Sequence, residues 1–293
     1  MTDPSSLYRL REEPAPPPSP VLVVALEGWV DAGLAGATAM TSLLDGIDTR
    51  IFALFDTEEL LDQRARRPKL TIADGINEEL EWPQVALRVG TDPLGAGVAM
   101  LVGPEPDMRW QSFADAVGEL ATALDVRLMV GLGGFPAGAP HTRPVKLAAT
   151  ASDGQLAKQV GFVAGSIEVP AGIEAVIERS CTNRGIPSVG LWARVPHYVA
   201  AMPFPAASLA LLEGLAGLSG LVIETGPLAE AAEAARAKID ELIAQSGDHQ
   251  AMVRQLEQQV DELEESAPVD FDDRVVPSGD EIAAELERYL RGH

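Results

Sequence analysis

The stretch Val21-Leu-Val-Val-Ala-Leu-Glu27 constrains this chain more than any other: an unbroken apolar run, rich in β-branched residues, closed by an acid. A strand with one wet face alternates apolar and polar residues. A continuous run therefore marks a strand covered on both faces, as at the centre of a parallel sheet. Gly28-Trp-Val-Asp-Ala-Gly33 follows as a turn, with Asp31 placed to cap a helix reaching about Asp45. Strand, glycine-bearing turn and capped helix open a βαβ unit.

The pattern recurs. Thr49 to Phe55 reads as a strand, and Asp56 with Glu59 three residues on forms a capping box. Lys69 to Ala73 and Val85 to Val89 are short alternating runs around a turn-rich stretch, read as an antiparallel excursion. Gly97 to Gly103 is a buried strand, after which Asp107 starts a helix to about Leu124. Val126 to Leu132 is a strand feeding a Gly/Pro-rich loop, Gly133 to Pro144. A helix over Gly172–Arg184 and a strand over Ser188–Val195 complete the series. Strands alternating with helices of this length predict an α/β fold, a mostly parallel, doubly wound sheet with helices on both faces.

Residues 1–20 are polar and Pro-rich, an extended entry; 21–226 form the α/β domain; 227–293 are a helical segment. In that segment Leu228, Ala232, Ala235, Ile239 and Leu242 keep helical spacing, as do Val253, Leu256, Val260 and Leu263. Two amphipathic helices joined near Ser246-Gly-Asp248 predict an αα-hairpin. Ser278 and Glu281 form a capping box for a last helix to about Arg291.

Acidic residues outnumber basic ones by 44 to 22, for a net charge of −22. Such a surface repels phosphate backbones and anionic lipid heads, which argues against nucleic acid and membrane partners. The N-terminus lacks the apolar core of a signal peptide and no run is long enough to span a bilayer, so a cytoplasmic location is expected. Cys181, the single cysteine, falls within a predicted helix and reads as a small buried hydrophobe.

The unusual residues follow predicted strand ends: Glu27, Trp29 and Asp31; Asp56; Glu105, Asp107, Arg109 and Trp110; His141 and Arg143; His197. Carboxyl ends of parallel strands share one rim, where ligands bind in open α/β sheets. Asp31, Asp56 and Asp107 also stand where helix caps belong. Glu27 either pairs with Arg109 or Arg143 or serves a ligand. Trp29 and Trp110 read as packing residues. His141, Arg143 and His197 either clamp a carboxylate or phosphate or fix a rigid loop. No P-loop, complete GxGxxG, GxSxG elbow or zinc-spaced Cys/His cluster is present, and neither a metal nor a cofactor is expected.

Glu27-Gly-Trp-Val-Asp-Ala-Gly33, Gly103-Pro-Glu-Pro-Asp-Met-Arg-Trp110, Pro140-His-Thr-Arg-Pro144, Gly185-Ile-Pro-Ser188 and Val195-Pro-His-Tyr198, in this order, resemble the bacterial branch of the proteasome assembly chaperone 2 family, over roughly residues 20–225. The resemblance implies an α/β/α sandwich like that of purine nucleoside phosphorylases, with a helical subdomain. It implies no agreed catalytic residues. The expected role is an assembly or interaction factor acting as a homo-oligomer rather than an enzyme, with proteasome subunits or another protein as partner. The alternative is a small-ligand binder or enzyme of nucleoside-phosphorylase type, using a pocket of Glu27, Asp31, Glu105, Arg109, His141 and Arg143. A third reading leaves the acidic surface to solubility and the αα-hairpin to one docking partner.

Overall fold

The computed structural model describes residues 4–11, 15–28, 30–163 and 165–266. Along them run β1 (Tyr8–Leu10), β2 (Val21–Val24), α1 (Ala35–Gly46), β3 (Thr49–Phe55), α2 (Thr57–Leu60), β4 (Lys69–Ala73), β5 (Ile76–Glu81), β6 (Ala86–Thr91), β7 (Gly97–Val102), α3 (Trp110–Ala123), β8 (Leu128–Ala137), β9 (Leu147–Ala151), α4 (Gly154–Val160), α5 (Ile173–Asn183), β10 (Ser188–Pro196), α6 (Pro205–Ser219), α7 (Gly226–Ala244) and α8 (Gly247–Ser266).

Eight strands make one sheet in the order β1-β3-β6-β7-β2-β8-β10-β9. Its centre, β7-β2-β8-β10, is parallel. Antiparallel β6, β3 and β1 extend one side and β9 closes the other. Every residue of β2 is buried, which is why its run carries no polar alternation. One face is covered by α1 and α6, through Met40, Leu43, Leu211, Leu212 and Leu215. On the other, Phe113, Val117 and Leu120 of α3 meet Ile177 and Cys181 of α5. The chain is thus a three-layer α/β/α sandwich. C-terminal to it, α7 packs on α6 and α8 folds back on α7. No helix among the described residues is long and apolar enough to cross a membrane.

The differences from the sequence reading have local causes. Lys69–Ala73 pairs not with the run at Val85 but with β5, through a turn in which Asp74 and Gly75 have φ of 51° and 81°. Asp-Gly with both residues left-handed is the type I′ hairpin turn. The acids Glu78, Glu79 and Glu81 masked β5 as a strand, while β6 joins the main sheet. The expected loop after Leu132 is strand as far as Ala137, because β10 pairs along its whole length. Helix α6 was not anticipated; most of its sides pack inside the protein, so it lacks a polar stripe. The N-terminal segment is not merely an extended entry, since Leu7 is buried and β1 pairs with β3. Cys181 is buried as expected, and burial pushes its thiol up to about 11. The helix expected from Ser278 lies outside the described residues, and so does Trp29.

Candidate functional rim

Strand directions decide where the conspicuous loops go. β2, β7, β8 and β10 run together, and β3 shares their direction because antiparallel β6 lies between it and β7. The segments after β2, β3, β7, β8 and β10 therefore leave from one margin of the sheet. Along that margin the predicted residues fall into two groups with different partners.

The first group lies over β2 and β7. Glu27 donates its N–H to the Gly103 carbonyl at 3.0 Å and accepts from the Glu105 N–H at 2.9 Å, which prolongs the parallel pairing beyond the strands. Its side chain is exposed. The Glu105 carboxylate is buried and accepts from Ile173 N at 2.7 Å, holding the first turn of α5. A Cβ on Gly28 would stand 2.4 Å from Glu105 Oε2, so glycine is required there. Asp31 accepts from Gly36 N at 2.7 Å and Ala37 N at 3.0 Å, the capping role expected of it. Burial pushes its carboxyl up against the lowering effect of those bonds.

Asp107 does not cap α3, which begins at Trp110 after a left-handed Arg109 (φ 60°). Instead it accepts from Asp62 N at 2.8 Å and Arg66 Nε at 3.2 Å, tying down the segment after α2. Arg109 pairs with Glu59. Trp110 Nε1 donates to the Pro106 carbonyl, a packing role for this tryptophan.

The second group lies over β8 and β10. His141 is 5% exposed. Its Nδ1 is 2.7 Å from Tyr198 Oη and its Nε2 is 3.0 Å from Asp240 Oδ1. Tyr198 Oη also accepts from the His141 N–H at 2.8 Å. A tyrosine hydroxyl donating to Nδ1 and an Nε2–H donating to Asp240 satisfy both ring nitrogens. Thr142 donates to Glu257 at 2.5 Å. The Arg143 guanidinium forks onto Asp261, Nε to Oδ1 at 2.9 Å and Nη2 to Oδ2 at 2.8 Å, and reaches Glu257 at 3.4 Å. Its proximity holds the Asp261 carboxyl below the usual range. Exposed His197 stands edge-on to Tyr198, ring centroids 5.4 Å apart. The loop from Pro140 to Pro144 is therefore a clasp for the α7–α8 hairpin.

Two expectations are corrected here. Neither arginine is committed to Glu27, since Arg109 engages Glu59 and Arg143 engages Asp261 and Glu257. The six residues of the anticipated pocket are divided between the two groups, His141 and Arg143 with the α7–α8 hairpin and the other four elsewhere. A cleft of about 470 Å³ at this margin is lined by Glu27, Arg66, Arg67, Glu81, Trp82 and their neighbours, and Glu27 alone of the six belongs to it. Among the described residues no group of three or more His, Cys, Asp or Glu could hold a metal ion.

Sequence reasoning missed the partners Asp240, Glu257 and Asp261, and also Glu174. That carboxylate, in the first turn of α5, reaches the Leu26 N–H at 3.4 Å. Burial, joined by the charges of Asp31, Glu105 and Glu178, pushes its carboxyl well above the usual range. A carboxyl raised in the folded state binds its proton more tightly there than in the unfolded chain. Its charge therefore opposes folding at neutral pH, and the penalty fades as pH falls through the raised value. Glu174→Gln is expected to raise the unfolding midpoint at pH 7–8, by roughly 1.5–2 °C for each kcal/mol relieved, and to flatten its pH dependence. Thermal scans across pH check this, and a lowered midpoint would show that the charge is stabilised rather than tolerated.

Residues 25–243 match the model of the PAC2 family. A Mycobacterium tuberculosis protein of unknown function superposes with a TM-score of 0.82 at 36% identity, over 89% of this chain and 92% of the other. A Corynebacterium glutamicum protein of unknown function gives 0.83 at 34%, over 89% and 99%. A proteasome-assembly chaperone homologue of Mycobacterium tuberculosis gives 0.74 at 35%, over 80% and 99%. No curated protein matches the chain.

Proposed function

The chain belongs to the PAC2 family, and from that membership we propose that it is a cytoplasmic, proteasome-assembly-chaperone-like protein, a non-enzymatic interaction factor that works as a homo-oligomer. The observation that carries this reading is the clasp. His141 and Arg143 are the residues read as an anion clamp, and both, with Thr142 between them, hold the α7–α8 hairpin instead. Both ring nitrogens of His141 are engaged, so it offers no free base to a reacting group. The 35% identical chaperone homologue supports the same direction.

The partner in this reading is a protein with a neutral or basic face, proteasome subunits or their assembly intermediates above all, because a net charge of −22 repels nucleic acid and anionic membranes. Light scattering after size exclusion should find an oligomer at micromolar concentration. Affinity capture from a proteasome-bearing host should recover α subunits or partly assembled rings. A monomer that captures neither removes the proposal.

A further inference from the structure

The helices that follow the neighbouring strands β2 and β7 leave for opposite faces of the sheet, α1 for one and α3 for the other. Such a divergence opens a crevice beyond the carboxyl ends of the two strands, where open α/β sheets take their ligands. The cleft of about 470 Å³ lies there, lined by Glu27 after β2 and Gly103-Pro104 after β7. Its volume is within the range of small-molecule sites. The outer walls come from the base of the β4–β5 ribbon: Arg66 and Arg67 lead into β4, and Trp82, Pro83 and Gln84 follow β5. Both walls are fastened. Asp107 holds Arg66 Nε and the Asp62 N–H. Gly103 lies so near the Gln84 carbonyl oxygen that an added Cβ would stand 2.2 Å from it.

The charges in this lining are matched except for one of each sign. Arg66 is engaged by Asp107, and Glu81 stands opposite Lys69 in the ribbon register. Glu27 and Arg67 are exposed, and among the described residues neither side chain has a hydrogen bond or an ion pair. The arginines first considered for Glu27 are engaged elsewhere, which leaves its reading as a ligand-binding group. Beside the two charges Trp82 is 47% exposed, a large ring left in water. One carboxylate, one guanidinium and one ring fit a ligand with the three complements: an ammonium, a carboxylate and a planar side chain. A nucleotide fits less well, because its phosphate would meet Glu27 with Arg67 alone to offset the repulsion.

We propose that this cleft binds an aromatic amino acid, its carboxylate on Arg67, its ammonium on Glu27 and its ring against Trp82. The site does not depend on self-association or on a protein partner. Isothermal titration calorimetry of the full chain tests it, with L-phenylalanine as the probe. Saturation is expected with a Kd of about 1 mM or tighter. N-acetyl-L-phenylalanine lacks the ammonium and L-phenylalaninamide lacks the carboxylate, and each should bind about tenfold more weakly. Glu27→Gln should abolish the preference over the acetylated ligand, and Arg67→Gln the preference over the amide. Trp82→Ala should weaken all three ligands about tenfold. These side chains are exposed, so the variants should keep the wild-type unfolding midpoint. Matching each preference to its own residue is an outcome that general damage to the cleft does not produce. No saturation by L-phenylalanine up to about 10 mM overturns the proposal. So does saturation by adenosine monophosphate in its place, or L-phenylalanine binding whose preferences survive both charge variants.

Discussion

Gly36→Ala is expected to lower the unfolding midpoint by roughly 5 °C, the equivalent of about 3 kcal/mol in a chain of this size. Gly36 sits in the first turn of α1, and a methyl group there would lie 2.3 Å from the Leu132 carbonyl oxygen. The obstacle is backbone of the central strand β8, which has no rotamer to change. Helix α1 cannot back away without losing the Asp31 cap, because that carboxylate is fastened to Gly36 N and Ala37 N. Gly46→Ala is the control: nothing lies within 4 Å of its added methyl. Calorimetry or circular dichroism reads both. A Gly36→Ala midpoint near wild type would mean that the contact between α1 and the sheet has slack, and that the rim beside Asp31 yields to a methyl group.

Arg143→Glu is expected to release the α7–α8 hairpin while leaving the sandwich folded. Arg143 and its partners are partly exposed, 36% against 24% and 47%. The pairs themselves then contribute no more than about 1 kcal/mol each. Reversal does more than delete them, since it sets three carboxylates together where two were neutralised. The apolar seam through Leu228, Ile239, Val253 and Leu256, with the His141–Asp240 and Thr142–Glu257 bonds, has to oppose that repulsion. Amide exchange in α7 and α8 should accelerate about ten- to hundredfold, with α1 and α5 unchanged. Arg143→Lys keeps the charge but loses the fork, and should fall between. Unchanged protection in the reversal variant would show that Arg143 does not hold the hairpin, and its ion pairs would lose their place in the proposed function.

The sheet was legible because its signals are local. Val21–Val24, Thr49–Phe55 and Gly97–Val102 each declare themselves by unbroken or β-branched runs, and glycines and prolines mark their ends. The placing of the conspicuous loops on one margin followed from strand direction alone. Where a local signal was absent the reading stopped. Helix α6 is too uniformly apolar to show a stripe, and β5 is too acidic to read as a strand.

The central strands, the αα-hairpin, the buried thiol at Cys181 and the common margin of the loops were thus settled by residue patterns a few positions long. What each charged residue on that margin is for was settled only by folding. His141 finds Asp240 across 99 positions and Arg143 finds Asp261 across 118. Such pairs depend on how α7 and α8 dock against the end of β8, and no periodicity or spacing in the chain encodes a distance of that kind. The same residues read by type alone describe an anion clamp; docked, they hold a helix hairpin.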